Sequence, residues 1–249
     1  MNNVLIYGIH AVESLLKKGQ RKVLRVCVAS QDRRLQSIIT LAKKQNVPLE
    51  VCPLSTIQEK LGEVVHQGVY ALAEANTLLG EADIPLLLDN ATSPALILVL
   101  DGVTDPHNLG ACLRVADACN VDFVLIPKDK SASITPTVSK VACGAAETVP
   151  VVQATNLVRA LEILKANGVW IHGAAGEATS SLYALDSTGP VALVLGSEGH
   201  GLRQLTRKHC DTLFSIPMLG SVSSLNVSVA AGITLYETIR QRKMIPDAL

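Results

Sequence analysis

The chain has 249 residues, 48% of them hydrophobic, so it can bury a sizeable core, and global disorder is excluded. Aromatic residues are only 3%, so Val, Leu, Ile and Ala must fill that core, as is typical of parallel strands alternating with helices. The net charge is zero, but residues 1–76 contain ten Lys and Arg against six Asp and Glu, and residues 77–249 contain twelve against sixteen. This asymmetry fits either ordinary scatter of surface charge or a basic module for a polyanion attached to an acidic body.

The first predicted module, residues 1–76, alternates strands with helices. Its strands are predicted at residues 4–7, 23–29, 48–52 and 69–73. Its helices are predicted at residues 11–18, at residues 32–45, and in a short segment capped by Ser55. Residues 77–94 mix acidic, Pro and Ser/Thr residues, and are predicted to form a linker with a short helix docked by Leu86, Leu87 and Leu88.

The second predicted module, residues 95–249, restarts the alternation. Buried strands are predicted at residues 96–100, 123–126, 149–151, 170–174, 191–195 and 213–216. Helices are predicted at residues 108–119, 135–143, 155–167, 202–208 and 225–243. This spacing indicates an α/β fold with a parallel sheet covered on both faces, whose ligands bind at the carboxyl ends of the strands. Three loops meet that condition, and they follow Leu100, Leu195 and Ile216.

The first of these loops contains Asp105-Pro106, which is a turn, and Asn108, which is a good helix N-cap. Arg114 then falls in the second turn of the helix, where its side chain leans back over Gly110 towards the loop. The residue types allow two interpretations. Arg114 is either a functional arginine that reaches the loop or a surface arginine paired with Asp117.

The second loop is glycine-rich and has the order G-x-x-G-x-G over residues 196–201, not the dinucleotide-binding order G-x-G-x-x-G. A glycine-rich loop after a buried strand usually indicates phosphate binding, but Glu198 at its centre would repel a pyrophosphate. The loop therefore suits a ligand with hydroxyls, an amine or a sulfonium. The alternative is a tight turn that only needs glycine dihedrals.

The third loop opens the last predicted helix, which Ser223 or Ser224 can cap. Small residues recur at four-residue spacing at Ser224, Ser228 and Gly232, and form a stripe that another backbone can approach. Asn226, near the helix start, must be hydrogen-bonded if its surroundings are apolar. Tight helix packing alone explains the stripe equally well.

Six cysteines occur and none forms a C-x-x-C pair, so no zinc ribbon or other metal site is expected. They lie in apolar surroundings, are interpreted as small buried hydrophobes, and fit a reducing cytosol. The N-terminus has no signal-peptide h-region, since His10 and Glu13 interrupt it, and the apolar runs are too short to cross a bilayer. A cytoplasmic protein without membrane attachment is therefore expected.

Three motifs occur in order across residues 95–243: D-P-x-N-L-G-A-x-x-R at residues 105–114, L-V-L-G-S-E-G-x-G-L at residues 193–202, and I-P-M-x-G-x-V-x-S-L-N-V-S-V-A at residues 216–230. Together they resemble the SpoU/TrmH family of the SPOUT superfamily. The stretch Y-G-I-H-A-V at residues 7–12 is similar to the small substrate-binding domain of bacterial members. The resemblance covers nearly the whole chain and is greatest to members that methylate 23S ribosomal RNA.

The resemblance implies that S-adenosylmethionine is the methyl donor and that the acceptor is the ribose 2′-hydroxyl of a guanosine in large-subunit (23S) ribosomal RNA. It also implies a homodimer through the C-terminal domain and a deep trefoil knot that holds the cofactor. The family's cofactor contacts map onto residues of the second and third loops: Leu195, Gly196, Ile216, Met218, Ser224 and Leu225. A sulfonium ligand is positively charged and needs no cationic side chains around it. This agrees with the second loop, which contains the carboxylate of Glu198.

The resemblance also implies catalytic roles for residues of all three loops: Arg114, Asn108, Glu198, Ser224 and Asn226. In the family the arginine that matches Arg114 is proposed as a general base, but an arginine is effectively never deprotonated. A charged Arg114 that binds an RNA phosphate and stabilises the developing alkoxide is favoured over a transient proton relay. Asn108 and Asn226 are expected to orient Arg114 and the ribose. Glu198 is expected to fix the second loop, and Ser224 to cap the last helix.

RNA binding is expected in the first module, where basic residues crowd one stretch: Lys17, Lys18, Arg21, Lys22 and Arg25, followed by Arg33 and Arg34. With few aromatic residues, phosphate contacts and RNA shape should outweigh base stacking. Three alternatives stay open at this point. The chain could methylate transfer RNA, serve as a non-catalytic RNA-binding factor in ribosome assembly, or be a nucleotide-dependent oxidoreductase.

Overall fold

The computed structural model describes residues 3–18, 21–75, 79–91, 94–197 and 199–244. The chain divides into two compact units. The first consists of residues 1–77 and 134–148, and the second of residues 78–133 and 149–249. The boundaries predicted from the sequence did not anticipate that residues 134–148 group with the first unit.

The first unit is built on a four-stranded sheet. Within the described residues its strands are β1 (Asn3–Tyr7), β2 (Val23–Val28), β3 (Leu49–Val51) and β4 (Val69–Glu74). Their order is β1-β4-β2-β3, with β4 antiparallel to β1 and β2, and β3 parallel to β2. The accompanying helices are α1 (Ile9–Lys18), α2 (Gln36–Lys44) and α3 (Leu54–Leu61).

The two faces of this sheet carry different hydrophobic clusters. Val26 and Val28 of β2 belong to the larger cluster, which they share with residues of α1 and α2. Cys27 lies between them and points to the opposite face, because successive strand residues alternate in direction. There it packs with Ile57 of α3 and Tyr70 of β4.

The second unit is built on a seven-stranded sheet in which every described pairing is parallel, so the predicted parallel α/β sheet is confirmed. Its strands are β5 (Leu96–Asp101), β6 (Phe123–Pro127), β7 (Val151–Ala154), β8 (Trp170–Ala174), β9 (Ser180–Ser181), β10 (Val191–Gly196) and β11 (Thr212–Ser215). The sheet order is β7-β6-β5-β10-β8-β11-β9. The carboxyl ends of the buried neighbours β5 and β10 therefore lie side by side.

The remaining described helices are α4 (Ile84–Asp89), α5 (Pro106–Ala118), α6 (Pro136–Val141), α7 (Leu157–Ala166), α8 (Gln204–His209) and α9 (Val227–Met244). The short helix expected in the predicted linker is present as α4, and Leu87 and Leu88 pack against the core of the second unit. Leu86 is exposed, so the prediction that it also docks the helix was wrong. None of the described helices combines the length and apolarity needed to cross a bilayer.

Some local predictions were wrong. Helix α3 begins at Leu54 after Pro53, so Ser55 does not cap it. Strand β7 begins two residues later than predicted, because a 3₁₀ turn at Ala145–Glu147 carries the chain up to it. Strand β9 was not predicted, since two residues are too few to show a periodic pattern.

Residues 134–148 join the first unit through α6, which contacts β1, and through the 3₁₀ turn, which contacts α1. Glu147 in this turn forms an ion pair with Arg21, and the two side chains are only 1% and 8% exposed. Burial raises the pKa of Glu147, while the charge and hydrogen bond of Arg21 act in the opposite direction. Breaking such a pair on one side leaves a buried charge without its partner, which is strongly destabilising.

The far end of α9 is anchored by Arg242. Its guanidinium donates hydrogen bonds to the carbonyl oxygens of Pro94 at 2.8 Å, Ala95 at 3.0 Å, Ser187 at 3.1 Å and Gly189 at 2.7 Å. These carbonyls come from the segments that lead into β5 and β10. One side chain therefore ties the last helix to the entrances of the two adjacent strands.

We expect Arg242→Ala to lower the free energy of unfolding by about 3 kcal/mol, because several partly buried carbonyls lose a charged donor. Lys243→Ala is the matched control, since Lys243 is the exposed neighbour on the same helix. Urea denaturation followed by circular dichroism measures the difference. Equal midpoints for the two variants would remove the anchoring role from Arg242.

Candidate active site

The first loop leads directly into α5, which begins at Pro106. The side chain of Asp105 accepts the backbone N–H of His107 at 2.9 Å and is the N-cap, so the prediction that Asn108 caps this helix was wrong. Proline suits the first helical position because its fixed φ angle is helical and it has no N–H to leave unsatisfied. Asn108 is thereby placed inside the first turn, with its side chain available for a contact outside the helix.

That contact is made by Asn226 of the third loop. Its Nδ2 donates to Asn108 Oδ1 at 3.0 Å, across 118 positions of sequence. Its Oδ1 accepts the backbone N–H of Ser228 at 2.9 Å and the Ser228 hydroxyl at 2.6 Å. Helix α9 begins at Val227, so Asn226 is its cap, and the prediction that Ser224 caps it was wrong. One asparagine thus starts α9 and joins the third loop to the first.

The glycine-rich loop turns back on itself at the end of β10. Ser197 and Gly201 exchange backbone hydrogen bonds of 3.1 Å and 2.9 Å. A Cβ added at Gly196 would lie 2.0 Å from the carbonyl carbon of Gly201, so the returning backbone occupies the space of a side chain. Gly199 and Gly201 have φ angles of +82° and +63°, which favour glycine. Glu198, expected to fix this loop, lies outside the described residues.

Asp101, which sequence reasoning missed, holds the exit of this loop. It is the last residue of β5, pairs in register with Gly196, and is 1% exposed. Its Oδ2 accepts the backbone N–H of Arg203 at 2.9 Å, and its Oδ1 lies 3.3 Å from Arg203 Nε. The sequence feature that could have identified Asp101 is its position: it is a carboxylate at the end of an otherwise apolar strand, just before a candidate loop.

A cavity of about 350 Å³ opens between the second and third loops at the carboxyl ends of the strands. All six residues predicted to contact the cofactor line it: Leu195, Gly196, Ile216, Met218, Ser224 and Leu225. Further lining residues that were not predicted include Ala174 and Phe214. The described lining contains no Lys or Arg. It consists of backbone, apolar side chains and the side chains of several serines, and it suits a ligand without phosphate.

The predicted catalytic residues only partly converge. Asn108 and Asn226 are hydrogen-bonded to each other, and Ser224 lines the cavity. Arg114 lies on α5, one turn beyond Gly110, with an exposed side chain. Among the described residues, the cavity lining includes neither Arg114 nor the two asparagines. The helix that carries Arg114 is nevertheless joined to the third loop through the asparagine pair.

The predicted RNA-binding residues differ in their availability. Lys22 is exposed, Lys17 pairs with Glu13 at 2.9 Å, and the partly exposed Arg25 pairs with Glu50 at 3.3 Å. The side chain of Lys18 lies outside the described part of the structure. Arg21 is buried against Glu147, so its place in the RNA-binding set is corrected to a structural role. Arg33 is exposed, and Arg34 is exposed but pairs with Asp32 at 3.2 Å.

Comparison with known proteins agrees with this geometry. The sequence profile of the SpoU rRNA Methylase family matches residues 95–236. The profile for RNA 2′-O ribose methyltransferase substrate binding matches residues 5–79. The chain therefore belongs to the SpoU rRNA methylase family, whose members use S-adenosylmethionine.

Individual relatives match over nearly the full chain. It is 51% identical over 240 residues to the 23S rRNA (guanosine-2′-O-)-methyltransferase RlmB of Pectobacterium atrosepticum, covering 96% of this chain and 98% of that protein. It is 52% identical to the RlmB of Pseudomonas syringae, covering 95% of each. Among solved structures, the SpoU methyltransferase AviRb of Streptomyces viridochromogenes, in complex with AdoMet, has a TM-score of 0.78 at 25% identity, covering 96% of this chain and 90% of AviRb.

We expect Gly196→Ala to lower the free energy of unfolding by about 3 kcal/mol, because the added methyl group collides with backbone that cannot rotate away. Gly220→Ala in the third loop is the matched control, since nothing lies within 4 Å of a Cβ there, and its effect should stay within about 0.5 kcal/mol. Thermal melting of both variants measures the difference. Two indistinguishable melting curves would contradict the close approach at Gly196.

Proposed function

We propose that this protein transfers the methyl group of S-adenosylmethionine to the ribose 2′-hydroxyl of a guanosine in 23S ribosomal RNA. The observation that carries the proposal is the cavity at the ends of β10 and β11, lined by all six expected cofactor residues. About 50% identity to 23S rRNA (guanosine-2′-O-)-methyltransferases over nearly the whole chain supports this acceptor. The substrate-binding profile at residues 5–79 supports an RNA substrate as well.

The cavity fits the cofactor in size and in chemistry. Its volume lies in the range of small-molecule sites. The described wall has no cationic side chain that would repel a positively charged sulfonium. S-adenosylmethionine, when bound, supplies a methyl group on positively charged sulfur. The backbone at Gly196, Ile216 and Leu225 would hold it, with Leu195, Met218 and Ser224 lining the cavity nearby.

The chain's own task is to prepare a poor nucleophile. Placing a hydroxyl in line with the bond to be broken supplies roughly 7–11 kcal/mol of the barrier reduction. We assign Arg114 the role of a permanent cation that binds RNA phosphate and stabilises the developing alkoxide, since an arginine in a protein is effectively never deprotonated. The proton of the hydroxyl then passes to solvent. Asn108 and Asn226, fixed to each other, orient the ribose, and Glu198 fixes the second loop.

The assembly proposed for this enzyme is a homodimer through the second unit. Exposed apolar side chains in the third loop and on α9 support it, because such groups favour burial against a partner. These are Leu219, Val222, Val229 and Tyr236. A trefoil knot formed by the chain beyond β10 is proposed from the family resemblance. A cytoplasmic location is proposed because the ribosomal RNA substrate is found there.

The test is transfer of labelled methyl from S-adenosylmethionine to 23S ribosomal RNA made without modifications, with transfer RNA as the competing acceptor. We expect one methylated guanosine in the ribosomal RNA. Arg114→Ala should lose at least about 100-fold in rate, because a preorganised charge is removed, while calorimetry still detects cofactor binding. Arg159→Ala, which removes an exposed arginine of α7, should keep full activity.

Methylation of transfer RNA alone would redirect the substrate assignment. Cofactor binding without transfer to either RNA would favour a non-catalytic assembly factor. Near-normal turnover of Arg114→Ala would remove that residue from catalysis and leave the methyltransferase assignment intact.

Exposed basic residues of the first unit are proposed to bind RNA phosphates. Replacing Lys22 and Arg33 with Ala should reduce the slope of log affinity against log salt by about 1.4, since each lost phosphate contact contributes roughly 0.7. Changing Arg159 and Lys208 of the second unit alters the net charge equally and is the matched control. Fluorescence anisotropy of a ribosomal RNA fragment at several salt concentrations gives the slopes. Equal slopes for both variants would mean that the basic surplus has no direct part in binding.

A further inference from the structure

Three side chains of metal-ligating type meet on one face of the four-stranded sheet, and the proposed methyl transfer uses none of them. Cys27 lies in β2, and its register partner in β3 is Glu50. Cys52 follows β3 two residues beyond Glu50 and therefore points to the same face. The sulfur atoms of both cysteines and a carboxylate oxygen of Glu50 all lie within 4.8 Å of one another.

This spacing is close to that of a tetrahedral metal site. Zinc–sulfur bonds of about 2.3 Å and zinc–oxygen bonds of about 2.0–2.2 Å place ligand atoms roughly 3.5–3.8 Å apart. Cys27 Sγ already lies 3.3 Å from Glu50 Oε2 and donates a hydrogen bond to it. Small side-chain adjustments would close the remaining separations, since none exceeds 4.8 Å.

A disulfide is a poorer use of the two thiols. Cys52 is displaced by two residues from the strand position opposite Cys27. Sheet geometry then separates their Cα atoms by about 8 Å. A disulfide requires less than about 7 Å, so a bridge would need backbone movement, whereas an ion between the sulfurs would not.

The surroundings of the cluster also suit an ion. Arg25 Nη1 lies 3.3 Å from Glu50 Oε1, which fixes the carboxylate and leaves Oε2 turned towards the thiol. Hydrogen-bonded support of this kind is typical around metal-binding carboxylates. Cys27 is buried beside Ile57, but Cys52 is only partly buried and Glu50 is exposed, which opens the cluster to solvent.

We propose that Cys27, Glu50 and Cys52 bind one thiophilic divalent cation of the zinc class, with two sulfur ligands, one oxygen ligand and a fourth position for water. Binding releases the thiol protons of Cys27 and Cys52 to solvent, because both sulfurs bind the ion as thiolates. Burial raises the pKa of the Cys27 thiol to about 11, so the metal must compete with that proton. The expectation of no metal site is revised, because sheet pairing brings together ligands that form no C-x-x-C motif.

The test is titration of the reduced full-length protein with Cd²⁺, followed by the ultraviolet thiolate-to-cadmium charge-transfer band. We expect one high-affinity ion per chain and a band for two thiolates. Cys52→Ser should weaken binding at least about 100-fold, and Glu50→Gln about tenfold. Cys143→Ser removes an exposed thiol elsewhere in the first unit and should bind like the native protein.

Thermal melting with Zn²⁺ provides a second readout. Zinc should raise the melting temperature of the native protein and of Cys143→Ser, because an ion that binds only the folded state stabilises it, and should not raise that of Cys52→Ser. Melting of each variant without metal shows whether it folds. Absence of the band in the native protein, or equal affinity in Cys52→Ser and Cys143→Ser, would overturn the proposal.

Discussion

The site depends on one contact between two stretches of backbone. Gly196 ends β10, and the chain returns at Gly201 so closely that no side chain fits between them. The buried carboxylate of Asp101, at the end of the adjacent strand, holds the residue that follows the loop. A cavity wall built in this way has few rotamers to order when a ligand binds. Affinity for a flexible cofactor gains from such preorganisation, since less conformational entropy is lost on binding.

Regular elements could be predicted because they depend on local periodicity. The strand predicted at residues 96–100 is present as the wholly buried β5. Helix starts were less predictable, because both loops offer several residues that can cap. Asp105 and Asn226 do so, instead of the predicted Asn108 and Ser224. The cavity-lining residues were found only through the family motifs, since backbone contacts leave no pattern of residue types.

The contacts that could not be predicted join residues far apart in the chain. The asparagine pair spans 118 positions, and the bond from Arg203 to Asp101 spans 102. Each joins two loops at the carboxyl edge of the second sheet. Spacing in a single sequence contains no information about such pairs, because their geometry arises only after strands have paired. The cluster of Cys27, Glu50 and Cys52 was missed for the same reason.

The buried ion pair of Arg21 and Glu147 determines which residues must be exchanged together when the first unit is transferred between related enzymes. Glu147 lies in the sequence between β6 and β7, whereas its partner Arg21 lies in the N-terminal segment that forms the rest of the first unit. A chimera that takes only residues 1–77 from a relative would leave the buried carboxylate of Glu147 to pair with whatever residue that relative has at the position of Arg21. An exchange of the first unit between relatives therefore has to include residues 134–148 as well as residues 1–77. The coding sequence of this unit is accordingly discontinuous in the gene.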